Sequence, residues 1–125
     1  AKLEDELDEI RDGVESFRDA LLVHFAREQE ALLPFVTRHV PAVQERAEAI
    51  IVGEHDRIST ALIELAKQTS RLDASTLASW RETLSRFEAL YSAHTQSELA
   101  FLTDVDRALE NDPLATQQLR KLLAE

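Results

Sequence analysis

Residues 21–35 read LLVHFAREQEALLPF and place a histidine and a carboxylate four positions apart within an otherwise apolar helical pattern. Along this part of the chain apolar residues recur at steps of three or four, the spacing of a packed α-helix. His24 and Glu28 fall on the same stripe as the leucines, because residues i and i+4 share one helix face. The stretch predicts a long helix over about residues 2–35, disturbed near its end by Pro34.

The same periodicity predicts two more long helices. TRHVP is a turn that carries His39 in a solvated position, because a residue before proline avoids the helical conformation. The second long helix then runs over about residues 41–70. RLDAS is the next turn, with Asp73 as the predicted N-cap of the third long helix. That helix ends near ENDP, where Asp112 can cap a short terminal helix opened by Pro113.

Short turns between long helices produce antiparallel neighbours. The sequence therefore predicts an all-α, up-and-down helical bundle of three long antiparallel helices plus a short C-terminal helix. At 125 residues, 44% of them hydrophobic, the chain is long enough for one core and not for two. We expect a single domain over residues 1–125.

Composition excludes several classes of function. With 24 acidic and 14 basic side chains the net charge is −10, which repels nucleic acid and anionic membranes. The longest apolar runs are too short to span a bilayer. The sequence contains no cysteine, so a metal would be held by nitrogen and oxygen ligands. We expect a cytoplasmic protein without a nucleic-acid or membrane partner.

Three of the four histidines lie on the apolar stripes, and two of them precede a glutamate by one turn. The motifs are HFARE, with His24 and Glu28, and HTQSE, with His94 and Glu98; the second helix adds His55 from EHDRI. Measured from the first turn, His24 lies roughly 20 Å and His55 roughly 22 Å along the bundle. Measured from the second turn, His55 lies roughly 25 Å and His94 roughly 32 Å away, about one helical turn out of level.

Each of these residues alone has a simpler interpretation. A single histidine on an apolar stripe is more often a hydrogen-bonded core residue than a ligand. We expect Glu54 to face the flank of its helix, and Trp80 and Tyr91 to be core aromatics. Gly53, unfavourable inside a helix, is interpreted as allowing close approach beside a site.

Together the five residues favour a metal site. Two carboxylates and three imidazoles on apolar stripes cost several kcal/mol to desolvate unless a positive charge compensates them. The stripes carry no lysine or arginine to do this. Nitrogen and oxygen donors suit iron, manganese or zinc, and carboxylates from different helices can bridge two ions. The predicted ligands are His24, Glu28, His55, His94 and Glu98.

The order of HFARE followed by LLPF, then EHDRI, then HTQSE followed by LAFL resembles the hemerythrin-like HHE cation-binding domain over about residues 17–105. The resemblance implies a four-helix bundle around a non-haem di-iron centre. In it, His24 would bind one iron, His55 and His94 the other, and Glu28 and Glu98 would bridge them. Members of the family bind dioxygen or nitric oxide, or sense oxygen or iron.

One feature departs from the family pattern, because no histidine precedes residue 24, whereas the family carries one on an earlier helix. That helix either lies upstream of Ala1 or has been lost. In the second case a partner chain (for example in a homodimer), the terminal helix or a swapped element should cover the exposed apolar face. A single metal ion, or zinc in place of iron, would then also fit the remaining ligands.

The sequence thus predicts a non-haem metal-binding protein, with iron as the expected metal and two ions as the expected number. Its expected role is to bind or sense dioxygen, nitric oxide or iron, with a small diatomic molecule as the ligand. The alternative is a metal-free helical interaction module with a degenerate site. An oxidase or peroxidase activity stays open, since no residue pattern specifies a pocket for an organic substrate.

Overall fold

In the computed structural model, which describes residues 2–124, this part of the chain is helical and contains no strand. The helices in chain order are α1 (Lys2–Arg27), α2 (Leu33–His39), α3 (Gln44–Glu48), α4 (His55–Ser70), α5 (Leu77–Ala108) and α6 (Pro113–Ala124). Two π-helical segments, π1 (Glu28–Leu32) and π2 (Ala49–Glu54), and a short 3-10 turn (Pro41–Val43) join them. The predicted all-α class is confirmed.

These elements form three long helices and a short one. The first long helix comprises α1, π1 and α2; the second runs from the 3-10 turn through α4; the third is α5. The first turn is shorter than predicted, because α2 continues to His39 and only Val40, which precedes proline, leaves the helical conformation. His39 is therefore not a turn residue. It is half-buried, with its ring 4.4 Å from that of Phe35.

The disturbance predicted at Pro34 takes the form of π1. Proline lacks an N–H and its ring crowds the carbonyl four residues earlier, and a widened π turn is one way a helix accommodates this. Here the Leu33 N–H donates to the Glu28 carbonyl, five residues back. Gln29 in π1 also donates from Nε2 to the Ile51 carbonyl in π2, at 3.3 Å. A side chain thus joins the two π segments across the helix pair.

The buried apolar side chains form two clusters separated along the bundle. The first, here the Trp80 cluster, comprises Leu7, Leu21, Phe25, Ile58, Leu62, Leu65, Leu72, Trp80 and Phe87. The second, here the Phe101 cluster, comprises Leu32, Val36, Ala47, Ile50, Ile51, Phe101, Val105, Leu109, Ala115 and Leu119. Along the helices Glu28, His55, His94 and Glu98 lie between the residues of the two clusters, and His24 precedes Phe25 of the Trp80 cluster by one residue. The bundle therefore has a polar layer between two apolar ones.

The second turn differs from the prediction in its cap. The third long helix begins at Leu77, so Thr76 occupies the N-cap position. Asp73 instead stabilises the preceding turn, where its Oδ1 accepts from the backbone N–H groups of Ser75 and Thr76 at 2.8 and 3.1 Å. Aspartate at the start of a tight turn accepts hydrogen bonds from amides two or three residues further on, as it does at a helix N-cap. Asp73 therefore resembled an N-cap in the sequence, although it lies three residues before the observed N-cap, Thr76.

The terminal helix α6 covers one end of the bundle. Asp112 caps it as predicted, since its Oδ1 accepts from the Ala115 N–H at 3.1 Å. Ala115 and Leu119 belong to the Phe101 cluster, and α6 packs against π1. At the opposite end an apolar groove of about 600 Å³ lies between α1 and α5. Phe17 on its wall is 39% exposed, so the apolar face of the first long helix is only partly buried.

One buried polar pair fixes the Trp80 cluster. The Trp80 indole Nε1 donates to Thr69 Oγ1 at 2.8 Å, and that hydroxyl donates to the Leu65 carbonyl at 2.6 Å. Thr69→Val should lower the free energy of unfolding by about 1–3 kcal/mol, because it leaves a buried indole donor unsatisfied. Chemical denaturation measures this. Thr60→Val is the matched control, since exposed Thr60 makes the same hydroxyl-to-carbonyl bond to Asp56. An equal loss in both variants would contradict the assignment.

Candidate metal centre

The polar layer receives side chains from all three long helices. His24 lies in the last turn of α1 and Glu28 begins π1; His55 begins α4; His94 and Glu98 lie one turn apart in α5. Phe25 of the Trp80 cluster packs against two of them, with its ring centroid 3.7 Å from that of His55 and 5.8 Å from that of His94. The fold therefore brings the five predicted ligands together in one region.

Every helix between residues 2 and 124 is too short or too polar to cross a membrane.

His94 lies level with His55, contrary to the one-turn offset expected from counting. The second long helix ends at Ser70, as predicted, but α5 begins only at Leu77, so the single turn position at residue 72 overstated the distance to His94. From those ends the two histidines lie roughly 22 Å and 26 Å along their helices. Their rings are 4.9 Å apart, edge to face.

The first group of converging donors comprises His55, His94 and Glu98. His94 Nε2 lies 3.1 Å and His55 Nε2 lies 3.9 Å from Oε2 of Glu98. Both imidazoles are buried, with His55 only 1% exposed. Two nitrogen donors and one carboxylate in a buried corner of the bundle fit a transition-metal ion better than a hard cation such as Ca²⁺ or Mg²⁺.

The second group comprises His24, Glu28 and again Glu98. His24 Nε2 lies 2.6 Å from Oε1 of Glu28, and His55 Nε2 lies 3.9 Å from the same oxygen. In each group one donor atom per residue lies within 4.8 Å of the others. Because Glu98 belongs to both groups, one carboxylate joins the two positions where an ion fits.

His24 does not lie inside the core. Its side chain is 58% exposed, while that of Glu28 is 8% exposed. The apolar stripe predicted an inward-facing imidazole, but the layer has no fourth long helix over α1 among residues 2–124, so the His24 ring stands at the rim. The two groups therefore differ: the one containing His55 and His94 is buried, and the one containing His24 opens to the surface.

Several buried nitrogen and oxygen atoms in this layer, which could act as metal ligands, have no hydrogen-bond partner within the described part of the chain. They are Oε1 and Oε2 of Glu28, Nδ1 and Nε2 of His55, and Oε2 of Glu98. Polar atoms buried without partners are rare and costly, commonly by 1–3 kcal/mol or more for a charged group. Here they face one another at contact distances without hydrogen-bond geometry. A cation among them would satisfy all but the Nδ1 atom, so the residues fit a metal.

Without a metal, protons partly compensate the carboxylates. Burial, and then the adjacent carboxylate of Glu98, raise the pKa of Glu28 to about 9. Burial also acts to raise the pKa of Glu98, but the neighbouring imidazoles of His55 and His94 outweigh it and the pKa lies far below its usual range. The two carboxylates thus hold different protonation states, as expected for like charges in close proximity. A bound cation would displace the proton from Glu28.

The structure adds two neighbours that the sequence did not reveal. The Phe25 ring stacks on the His55 ring with centroids 3.7 Å apart and an interplanar angle of 9°. Glu54 does not face the flank, because its Oε1 lies 2.9 Å from Nδ1 of His94. The motif EHDRI contained a signal for Glu54, since a carboxylate beside a candidate ligand is an obvious outer partner. Its reach to another helix depends on π2 and could not be read from an ideal helical period.

Two smaller expectations also have an outcome. The interpretation of Gly53 was wrong, because a Cβ added there would meet only the end of the Arg57 side chain, at 3.9 Å, so no close backbone approach requires glycine. Trp80 is a buried core aromatic as predicted. Tyr91 is half-buried and lies edge-on to Phe17, with ring centroids 5.9 Å apart.

Comparison with known proteins gives one positive result. The family model described as the hemerythrin HHE cation-binding domain matches residues 1–100. This range contains all five converging residues, whereas α6 lies outside it. No curated protein and no solved structure matches the chain. Since the family model covers most of the sequence, the chain belongs to the hemerythrin HHE cation-binding domain family.

Proposed function

We propose that this domain holds two iron ions in the polar layer and uses them to bind or sense dioxygen or nitric oxide. Membership of a cation-binding family supports metal binding in general. The identity and number of the ions, and the small ligand, are our inference from the donor set and its surroundings. We also propose a cytoplasmic location, where a site free of cysteine is compatible with reducing conditions.

The observation that carries the proposal is the sharing of Glu98 between two groups of metal-ligating side chains, each of which contains buried atoms without a hydrogen-bond partner among residues 2–124. Carboxylates that bridge two ions about 3.5–4 Å apart are typical of two-metal sites. Glu28 supports the same arrangement, because its Oε1 lies near both His24 and His55, at 2.6 and 3.9 Å. A single ion would leave one of the two groups uncompensated.

Iron is the metal that best suits both the donors and the proposed ligands. Imidazole and carboxylate without thiolate accommodate iron, manganese and zinc, but zinc has no redox chemistry. A non-haem iron centre with an open coordination position supplies redox-active binding of diatomic molecules. The protein residues hold the centre, and Phe25, stacked on His55, keeps that side of the layer dry.

The size of the cavity at the exposed group favours a small ligand over an organic substrate. It has a volume of about 190 Å³ and is lined by His24, Arg27, Glu28, Ala31, Leu32, Glu98, Leu122 and Leu123. Pockets for drug-sized molecules usually measure about 300–1,000 Å³. Dioxygen and nitric oxide fit easily, while α6, which supplies Leu122 and Leu123 to the lining, restricts access by larger molecules.

Gas binding to protein loaded with Fe(II) under anaerobic conditions tests this role. We expect the absorption spectrum to change on addition of nitric oxide or dioxygen. Ala31→Phe, which fills the cavity, should slow the change at least several-fold while leaving the iron content unaltered. Ala26→Phe is the matched control, because Ala26 is an exposed alanine of α1 that does not line the cavity.

An iron-loaded spectrum that does not respond to either gas would contradict the proposed role. An identical rate in the Ala31→Phe variant and the wild type would contradict ligand entry through this cavity and place it elsewhere. Continuous consumption of dioxygen or peroxide in the same assay would instead assign an enzyme.

A further inference from the structure

Glu54 contacts the buried histidine of another helix. Its Oε1 lies 2.9 Å from Nδ1 of His94, and the two residues are 40 positions apart in sequence. The Glu54 side chain is 20% exposed and that of His94 is 5% exposed. The bond therefore lies at the edge of the polar layer and is partly shielded from water.

The bond determines which nitrogen of His94 is available. A neutral imidazole carries one N–H and one lone pair, and the tautomer follows from the partner of each nitrogen. A carboxylate can only accept, so Nδ1 carries the hydrogen and donates it to Glu54. When a metal is bound, the lone pair then lies on Nε2, the nitrogen that belongs to the donor group.

His55 provides an internal comparison. Its Nδ1 is buried without a hydrogen-bond partner among residues 2–124, and its ring is instead held by stacking on Phe25 at 3.7 Å. Glu54 itself does not belong to either group of converging donors. Its oxygen lies on the side of the His94 ring opposite Nε2, so it cannot reach the same ion.

We propose that Glu54 is a positioning residue that locks His94 with Nε2 directed into the metal centre. The proposal rests on the proposed metal-binding function and adds to it a residue that hydrogen-bonds to a metal ligand without binding the metal itself. A carboxylate behind a metal-bound imidazole orients the ring and increases the basicity of the ligating nitrogen. Loss of such a partner typically lowers metal affinity 10–100-fold.

Titration with Zn(II), a diamagnetic probe, tests the affinity. Glu54→Leu removes the acceptor and should weaken binding about 10–100-fold. Glu54→Gln keeps an uncharged acceptor and should lie between that variant and the wild type. Asp56→Asn is the matched control, because exposed Asp56 flanks His55 on its other side and its loss removes the same charge. We expect Asp56→Asn to bind as the wild type does.

The His94 Nδ1–H signal in NMR spectra of the zinc-loaded protein provides a readout that a general structural role would not change. We expect a slowly exchanging Nδ1–H resonance in the wild type that exchanges rapidly in Glu54→Leu. Wild-type affinity and an unchanged resonance in Glu54→Leu would overturn the proposal while leaving the metal site intact. If the wild type binds neither Zn(II) nor Fe(II), the metal-binding function fails and the role of Glu54 fails with it.

Discussion

Glu98→Gln should abolish binding of both metal ions while the protein remains folded. Glu98 belongs to both groups of converging donors, so the amide removes the shared negative charge at nearly constant volume. We expect the affinity for Fe(II) to fall more than about 100-fold, beyond the effect of losing an outer-shell partner. The metal-free variant should remain folded but be somewhat less stable than the wild type, since Glu98 is the ionised carboxylate that the His55 and His94 imidazoles stabilise. Anaerobic Fe(II) titration and thermal unfolding measure both effects.

Glu82→Gln is the control for Glu98→Gln. Glu82 is an exposed glutamate of the same helix, α5, outside the polar layer, and its replacement should alter neither metal content nor stability measurably. Two ions bound to Glu98→Gln with the affinity of the wild type would show that Glu98 does not join the two positions. Unfolding of the variant would instead indicate a purely structural role.

His24→Ala should leave one ion bound and abolish the response to gas. His24 belongs only to the exposed group, so the buried group of His55, His94 and Glu98 stays complete. With a side chain that is 58% exposed, His24 contributes little to the core, and the stability of the metal-free protein should change by less than about 0.5 kcal/mol. Iron analysis after desalting should find half the wild-type content.

His39→Ala controls for the loss of a histidine elsewhere. His39 lies at the end of α2, packs on Phe35 and belongs to neither donor group. The iron content of the His39→Ala variant should therefore equal that of the wild type. Retention of two ions by His24→Ala would show that His24 is only a surface residue. Loss of both ions would show that the two positions fill as one unit and cannot be separated.

The residues on the second long helix show how far periodicity predicts this fold. Ala47, Ile51, Ile58, Leu62 and Leu65 recur with His55 at steps of three or four along the sequence, and all are buried together with His55. Periodicity succeeds here because the helix packs between two others, α1 and α5, so its apolar stripe faces neighbours on both sides. The motifs at residues 24–28 and 94–98 likewise converge because each pair lies one turn apart on its helix.

Periodicity gave the wrong orientation for side chains whose exposure depends on neighbouring helices or on a local change of helical period. His24 shares the stripe of Leu21 and Glu28, yet it is exposed, because residues 2–124 contain no fourth long helix to cover that side of α1 and the short α6 only borders the cavity beside it. Glu54 was assigned to the flank from an ideal helical period, but π2 inserts a wider turn directly before α4 and Glu54 reaches His94. The sequence shows that residues able to make such contacts are present. Which contacts form depends on the neighbouring helices and on local changes of helical period.

The number of iron atoms per chain in the wild-type protein tests the central claim most directly. The protein should be produced with added iron, purified without chelator and analysed for metal content together with its absorption spectrum. We predict two iron atoms per chain, and a melting temperature that rises with bound iron, because a ligand that binds only the folded state stabilises it. Protein that contains no iron, and whose melting temperature is unchanged by added iron or zinc, would contradict the account.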